Sequence, residues 1–280
     1  MVKAVGHPQK GPGRPMETAS IILAAGRGSR MEGYDGNKTL LPLCPEKSPW
    51  AGTRPILVEI ISNLPPGPKA VVVHYRKEDV IEATRHLGIA FCDQPRLDGT
   101  GGALLAARPF LESVECENVI ITMGDVPLVR DETYRRLLEP LENRNLVVLG
   151  FRPQSRKQYG VLEIESGRVK RIIEWKYLKG LPEDRRDALR ICNAGIYAAR
   201  RKDILAYLPT LEARPHRVEK TVAGRPRQLK EFFITDLVEY MNEDGRDVGC
   251  LLAEDETEVM GVDDFSSLER ARRTYRARRL

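Results

Sequence analysis

The sequence predicts an α/β fold built on a doubly wound, mostly parallel sheet, and three observations carry that prediction. Short β-rich apolar runs alternate with longer amphipathic stretches over residues 20–151, the rhythm of βαβ units. Two of those runs, "SIILAAG" and "NVIITMGD", end in Gly and polar residues, and in an open sheet ligands gather at the carboxyl ends of the strands. From Phe151 onward the residues alternate around a Ser-Gly turn, the mark of an antiparallel hairpin.

The elements follow in order. "SIILAAG" is a strand opening onto a glycine-rich loop, and "ILVEIISNL" is the first helix. Strand and helix then alternate as "AVVVHY" and "EDVIEATRHLG", "IAFCDQ" and "GALLAARPFLESV", "NVIITMGD" and "DETYRRLLEPLEN", ending on the strand "LVVLGF". "YGVLEIESGRVKRIIEWK" reads as the hairpin, "GLPEDRRDALR" as a polar connection and "NAGIYAA" as a further strand, so 151–230 is a small substrate-binding elaboration of the sheet. "FITDLVEYMNEDG" is a helix, "VGCLLAEDETEVMGVDD" holds one or two late strands, and 265–280 is a terminal helix opened by a Ser cap. Residues 1–18 lack any such pattern and are expected to be a flexible extension, leaving 19–280 as one domain.

Composition narrows the function classes. With 280 residues, 41% hydrophobic and 30% charged, the chain has the balance of a globular protein with a sizeable core. Its net charge of +5 is mild and the signs are interspersed, which favours a local site for small anions over a nucleic-acid surface. The N-terminal stretch has no apolar leader segment and nothing approaches the roughly 18 apolar residues of a membrane span. The five cysteines lie far apart with no C-x-x-C pair, so a reduced cytoplasmic setting is expected and a zinc site is not.

The loop "LAAGRGSRM" joins small residues to fixed positive charge. It lacks the Gly-Lys-Ser/Thr of a Walker loop, and Met31 stands where a dinucleotide loop needs its third small residue. What remains is a strand-to-loop turn whose glycines let backbone N–H groups approach a phosphate, with Arg27, Arg30 and Lys38 supplying charge. Asp125 follows the apolar run "NVIITMG", which puts its carboxylate at the end of a central strand. A hard oxygen ligand there suits Mg²⁺, which keeps several waters and is completed by substrate phosphates.

The loop and its lysine resemble the signature of the sugar-nucleotide pyrophosphorylases, most closely the N-acetylglucosamine-1-phosphate uridyltransferases. The likeness continues in matching order through "DQPRLDGTGGAL", "TMGDVPLV", "YGVLEI", "IIEWK", "CNAGIY", "FFITDLV" and "GVDD". It implies a Rossmann-like sheet of the nucleotide-diphospho-sugar transferase type, and transfer of a uridylyl group from UTP to a sugar-1-phosphate. Such chemistry presses two anionic groups together in line, so cations matter more than a base. The resemblance makes Arg30, Lys38 and Asp125 catalytic, with Leu23, Ala24, Ala25, Gly26 and Gly28 of the loop binding nucleotide. Gln94, Gly99 and Thr100 match its uracil site, and Gly160, Glu174 and Asn193 its sugar site. Asp125 and Asp263 match its Mg²⁺ ligands.

The chain departs from the pattern in places. Asn37 stands where Pro usually precedes the lysine, "TLLPLCPEKSPWAGTRP" is longer than the usual segment, and "PRLD" replaces a polar stretch after Gln94. Asp263 stands where relatives usually carry Asn, which leaves Asp264 as a rival ligand. Two further readings stay open: a cytidylyl-, guanylyl- or thymidylyltransferase, and a non-catalytic nucleotide-sugar sensor. The acetyltransferase β-helix of longer relatives has no counterpart in the hexapeptide pattern here, so that second activity is not expected.

Overall fold

A computed structural model describes residues 18–28, 30–155, 158–222 and 225–279. The stretch expected as an extension lies outside the described residues, apart from Thr18, the first residue of β1. The strands are β1 (Thr18–Leu23), β2 (Pro42–Ser48), β3 (Ala51–Pro55), β4 (Lys69–Val73), β5 (Ala90–Asp93), β6 (Asn118–Met123) and β7 (Leu146–Phe151). After them come β8 (Val161–Glu165), β9 (Arg168–Ile173), β10 (Cys192–Arg200), β11 (His216–Val222), β12 (Arg225–Glu231) and β13 (Val248–Leu252).

The main sheet runs β13-β7-β10-β6-β1-β4-β5, with β8 and β9 joined at the end of β10. β1 pairs in parallel with β4 and β6, β4 with β5 and β7 with β13, while β10 lies antiparallel between β6 and β7. The strand following β5 returns to the other side of β1, so the crossover reverses between β1 and β6. That reversal opens a crevice at their carboxyl ends.

Alternation along each strand feeds two cores. Ile22, Val71, Val73, Ile120, Val147 and Leu149 face one layer; Ile21, Ala70, Val72, Val119, Ile121 and Val148 face the other. Helices Ile56–Asn63, Asp131–Leu138 and Phe265–Ala277 cover the first face. Helices Thr100–Ala106, Arg108–Ser113, Arg201–Ala213 and Asp236–Glu243 cover the second. No helix among the described residues is long and apolar enough to cross a membrane.

Several local expectations change. The polar connection contains a short helix, Glu183–Ala188, and the late region holds one strand, β13, followed by a 3-10 turn. The terminal helix is capped by Asp264, not Ser: the Asp264 carboxylate accepts from the Ser267 N–H at 2.7 Å while Ser267 Oγ accepts from the Asp264 N–H. This is a reciprocal capping box. The longer segment after Lys38 forms the β2–β3 hairpin. Arg272 of the terminal helix, almost fully buried, donates to the carbonyls of Pro42 at 2.9 Å and Pro49 at 2.6 Å and ties that hairpin down.

Candidate active site

β1 ends at Leu23 and the chain leaves the sheet through Ala24, Ala25 and Gly26. Gly28 has a left-handed φ of 61°, and a Cβ there would meet the Lys38 side chain at 3.0 Å. Glycine therefore lets the loop bend back over the aliphatic stem of that lysine. Asn37, buried to 1% exposure, accepts from the Thr39 N–H and donates to the Tyr75 carbonyl, capping the 3-10 turn that carries Lys38. The residue that departs from the expected Pro thus holds the lysine in place.

Lys38 Nζ donates to Asp125 Oδ2 at 2.5 Å, to Asp263 Oδ1 at 3.4 Å and to the Val262 carbonyl at 3.1 Å. Arg30 donates to the same Asp263 oxygen at 2.8 Å. The Val262 N–H donates to the Asp125 carbonyl, which brings a segment far along the chain against the end of β6. Burial disfavours the Lys38 ammonium, but the Asp125 and Asp263 carboxylates outweigh it and raise its pKa above the ordinary value. Two cations and two carboxylates thus neutralise each other at one point. Asp264 is committed elsewhere: the hydrogen bonds from Ser267 tie it to the helix cap and lower its pKa.

A cavity of about 460 Å³ lies over the loop, lined by Leu23, Ala24, Ala25, Gly26 and Gly28 on one side and by Gln94, Gly99 and Thr100 on the other. Arg27, Leu97 and Glu231 also border it. Gly99, at φ 99°, packs where a Cβ would fall 2.3 Å from the Phe232 carbonyl, so no larger residue fits. A second cavity of about 220 Å³ is lined by Gly160, Glu174 and Asn193. The two cavities share Thr100, Met123, Asp125 and Asp263. Apart from Asp264, the structure therefore brings the candidate residues to one continuous cleft.

On the second cavity's wall the polar groups are held by partners the sequence did not flag. Glu174 Oε1 accepts from Thr235 Oγ1 at 3.0 Å; burial raises the Glu174 pKa, and the Thr235 hydrogen bond opposes that. Asn193 Oδ1 accepts from the Gly195 N–H at 2.9 Å and its Nδ2 donates to Tyr197 Oη at 2.8 Å. One N–H and one Oδ1 lone pair of that amide are left for a ligand. The Gly160 carbonyl accepts from the Asn193 N–H at 2.9 Å, joining the two segments. Tyr159 also borders this cavity, its hydroxyl pKa raised by burial and by Asp263. Tyr159 and Thr235 lie inside "YGVLEI" and "FFITDLV" with its preceding strand, but only pairing across the fold shows their part. Lys176 lies over the Phe233 and Tyr177 rings, at 4.4 and 5.0 Å, with Glu231 at 3.8 Å.

Among the described residues no group of three or more His, Cys, Asp or Glu side chains converges as a metal cage. Asp125 and Asp263 are a two-carboxylate pair whose shared neighbour is a cation. That fits Mg²⁺, which takes one or two carboxylates and fills its remaining positions with water and phosphate.

The bifunctional protein GlmU of Novosphingobium aromaticivorans is 30% identical over 267 residues, 93% of this chain and 53% of that protein. GlmU of Sphingopyxis alaskensis is 33% identical over 265 residues, 92% and 52% respectively. The chain spans about half the length of these relatives. Among solved structures, the uridine diphosphate N-acetylglucosamine pyrophosphorylase of Trypanosoma brucei superposes with a TM-score of 0.67 at 15% identity, covering 91% of this chain and 64% of that one. A nucleotidyl transferase from Methanothermobacter thermautotroptrophicus gives 0.61 at 20% identity, covering 95% and 100%. These two share the fold. The family model of the MobA-like NTP transferase domain matches residues 20–215, and the chain belongs to that family.

Proposed function

We infer that the protein is a Mg²⁺-dependent uridylyltransferase that joins UTP to a sugar-1-phosphate, N-acetylglucosamine-1-phosphate above all, with release of pyrophosphate. The observation that carries this reading is the junction of the two cavities at Asp125 and Asp263, beside Lys38. A nucleoside triphosphate in the larger cavity and a sugar phosphate in the smaller would meet there.

The reaction forms a bond between a sugar-phosphate oxygen and the α-phosphorus and breaks the bond from that phosphorus to the pyrophosphate oxygen. A phosphate monoester is already mostly dianionic near neutral pH, its second pKa being about 6, so no side chain has to take a proton from it. Arg30 and Lys38 serve as the cations: Arg30, on the exposed loop, makes paired contacts to phosphate, and Lys38, buried beneath it, acts as a point charge. Both are held against carboxylates before substrate arrives and turn to the triphosphate when it binds. Asp125 and Asp263 would hold Mg²⁺, which when bound supplies neutralisation of the phosphate charge. Gln94 and Gly99, which line the larger cavity, would face the base, and Glu174 and Asn193, which line the smaller, the sugar.

The likeness of the ordered motifs to those of the N-acetylglucosamine-1-phosphate uridyltransferases supports the sugar assignment, and the trypanosomal protein that shares the fold is itself named a uridine diphosphate N-acetylglucosamine pyrophosphorylase. A matrix of triphosphates against sugar-1-phosphates, scored by pyrophosphate release, tests it. UTP with N-acetylglucosamine-1-phosphate is expected to give the highest kcat/KM, and a different best pair replaces the proposed substrates. Binding of UTP without turnover of any sugar-1-phosphate favours the sensor reading.

A further inference from the structure

Gln94 is 3% exposed and held from behind. Its Nε2 donates to Asp98 Oδ1 at 2.9 Å and to the Gly99 carbonyl at 3.2 Å. Its backbone N–H donates to the Val73 carbonyl at 2.9 Å, and its own carbonyl lies 2.6 Å from His74 Nδ1. A side-chain amide has two N–H donors and one carbonyl. With both donors engaged, the group Gln94 has left for a ligand in the larger cavity is Oε1.

Asp98 makes this orientation one-sided. A carboxylate accepts and does not donate, so a flipped amide would set Oε1 against both Asp98 Oδ1 and the Gly99 carbonyl. Asp98 is itself anchored: its carbonyl accepts from the Phe232 N–H at 2.8 Å, and the Gly101 N–H returns to the Phe232 carbonyl at 2.8 Å. The following helix leaves space for the carboxylate because position 102 is glycine, where a Cβ would fall 1.8 Å from Asp98 Oδ1.

We propose that Asp98 is a specificity-determining positioning residue, locking Gln94 as a hydrogen-bond acceptor so that the site takes a base with a ring N–H, as uracil has, and rejects cytosine. Cytosine presents a lone pair at that ring nitrogen, and an acceptor facing an acceptor leaves both unpaired. The inference rests on the larger cavity being the nucleotide site.

Equilibrium binding of UTP and CTP to the whole protein tests this without requiring turnover. The wild type is expected to bind UTP at least about 30-fold tighter than CTP, in the range set by burying unpaired polar groups. Asn at position 98 can donate as well as accept, and Ala removes the carboxylate, so in either variant only the longer contact to the Gly99 carbonyl still opposes a turned Gln94 amide. Asp98→Asn and Asp98→Ala are therefore expected to cut the UTP:CTP ratio about tenfold or more, with CTP gaining in affinity. An equal loss for both nucleotides, leaving the ratio unmoved, gives Asp98 a merely structural part and overturns the proposal. Should both variants fail to fold, the wild type decides with 3-methyluridine triphosphate, which lacks the ring N–H. A loss of at least about 30-fold is expected, and binding equal to UTP overturns the lock. Normal UTP selectivity without sugar-nucleotide synthesis breaks the proposed function and leaves the lock standing; binding of neither triphosphate overturns both.

Discussion

On the nucleotide side of the cleft the candidate residues come from two short stretches, Leu23 to Arg30 and Gln94 to Thr100, each leaving the end of a parallel strand. On the sugar side Gly160, Glu174, Asn193 and Thr235 come from four separate segments. The first half is shaped by backbone turns at Gly28 and Gly99 and by charges. The second is shaped by register: Glu174 follows the end of β9, and Asn193 sits where the β10–β7 pairing shifts between Asn193 and Tyr197. Function carried by contiguous loops depends on local conformation, whereas function assembled from dispersed strands depends on the whole sheet being in place.

That contrast can be broken first where the halves meet. Asp125→Ala is expected to lower kcat/KM by at least about 10³-fold with an unchanged thermal melt, since it removes a carboxylate at the shared wall. Asp263→Asn keeps an oxygen facing Arg30 and Lys38 and is expected to cost less than about tenfold. A mutant Asp125→Ala with normal kcat, or full turnover in excess chelator, removes the metal assignment.

Lys38→Ala is next, with kcat/KM expected to fall about 10²–10³-fold, the loss seen when a preorganised electrostatic partner is deleted. Arg30 is 64% exposed where Lys38 is 12% exposed. Solvent screens it more, so Arg30→Ala is expected to cost about 10-fold to 10²-fold. Steady-state kinetics that reverse this order would place the main charge contact on the loop instead of beneath it.

The sugar side is sharpened by selectivity. N-acetylglucosamine-1-phosphate is expected to exceed glucose-1-phosphate in kcat/KM by at least about tenfold, or about 1.4 kcal/mol. Asn193→Ala should erode that ratio, and Glu174→Ala should weaken both sugars. Equal use of the two by the wild type sinks the N-acetylglucosamine assignment and leaves the nucleotidyltransferase class intact.

The smallest effect expected is on pH dependence. Burial raises the Glu174 pKa, and the Thr235 hydroxyl, by donating to the carboxylate, pulls it down. Thr235→Val removes the bond that favours the ionised form, so the pKa rises further and the acid limb of the sugar-phosphate KM profile moves to higher pH. A profile that does not move, measured beside an unchanged KM for UTP, detaches Glu174 from sugar binding.

The sequence by itself determined the alternating strands and helices, the glycine loop after β1 and the strand-end carboxylate at Asp125. Each is a short-range matter: periodicity reports which face is buried, and glycine reports where backbone must bend. Only the tertiary structure decided that Asp264 caps the terminal helix while Asp263 turns to Lys38, because two adjacent carboxylates are indistinguishable until Ser267 claims one. It alone decided that β10 enters the sheet antiparallel between β6 and β7, since its residues alternate no differently from those of a parallel strand. The partners Thr235 for Glu174 and Asp98 for Gln94 were likewise settled by the fold. A hydrogen bond needs its two atoms about 3 Å apart, and separation along the chain says nothing about that distance once the strands between have folded back.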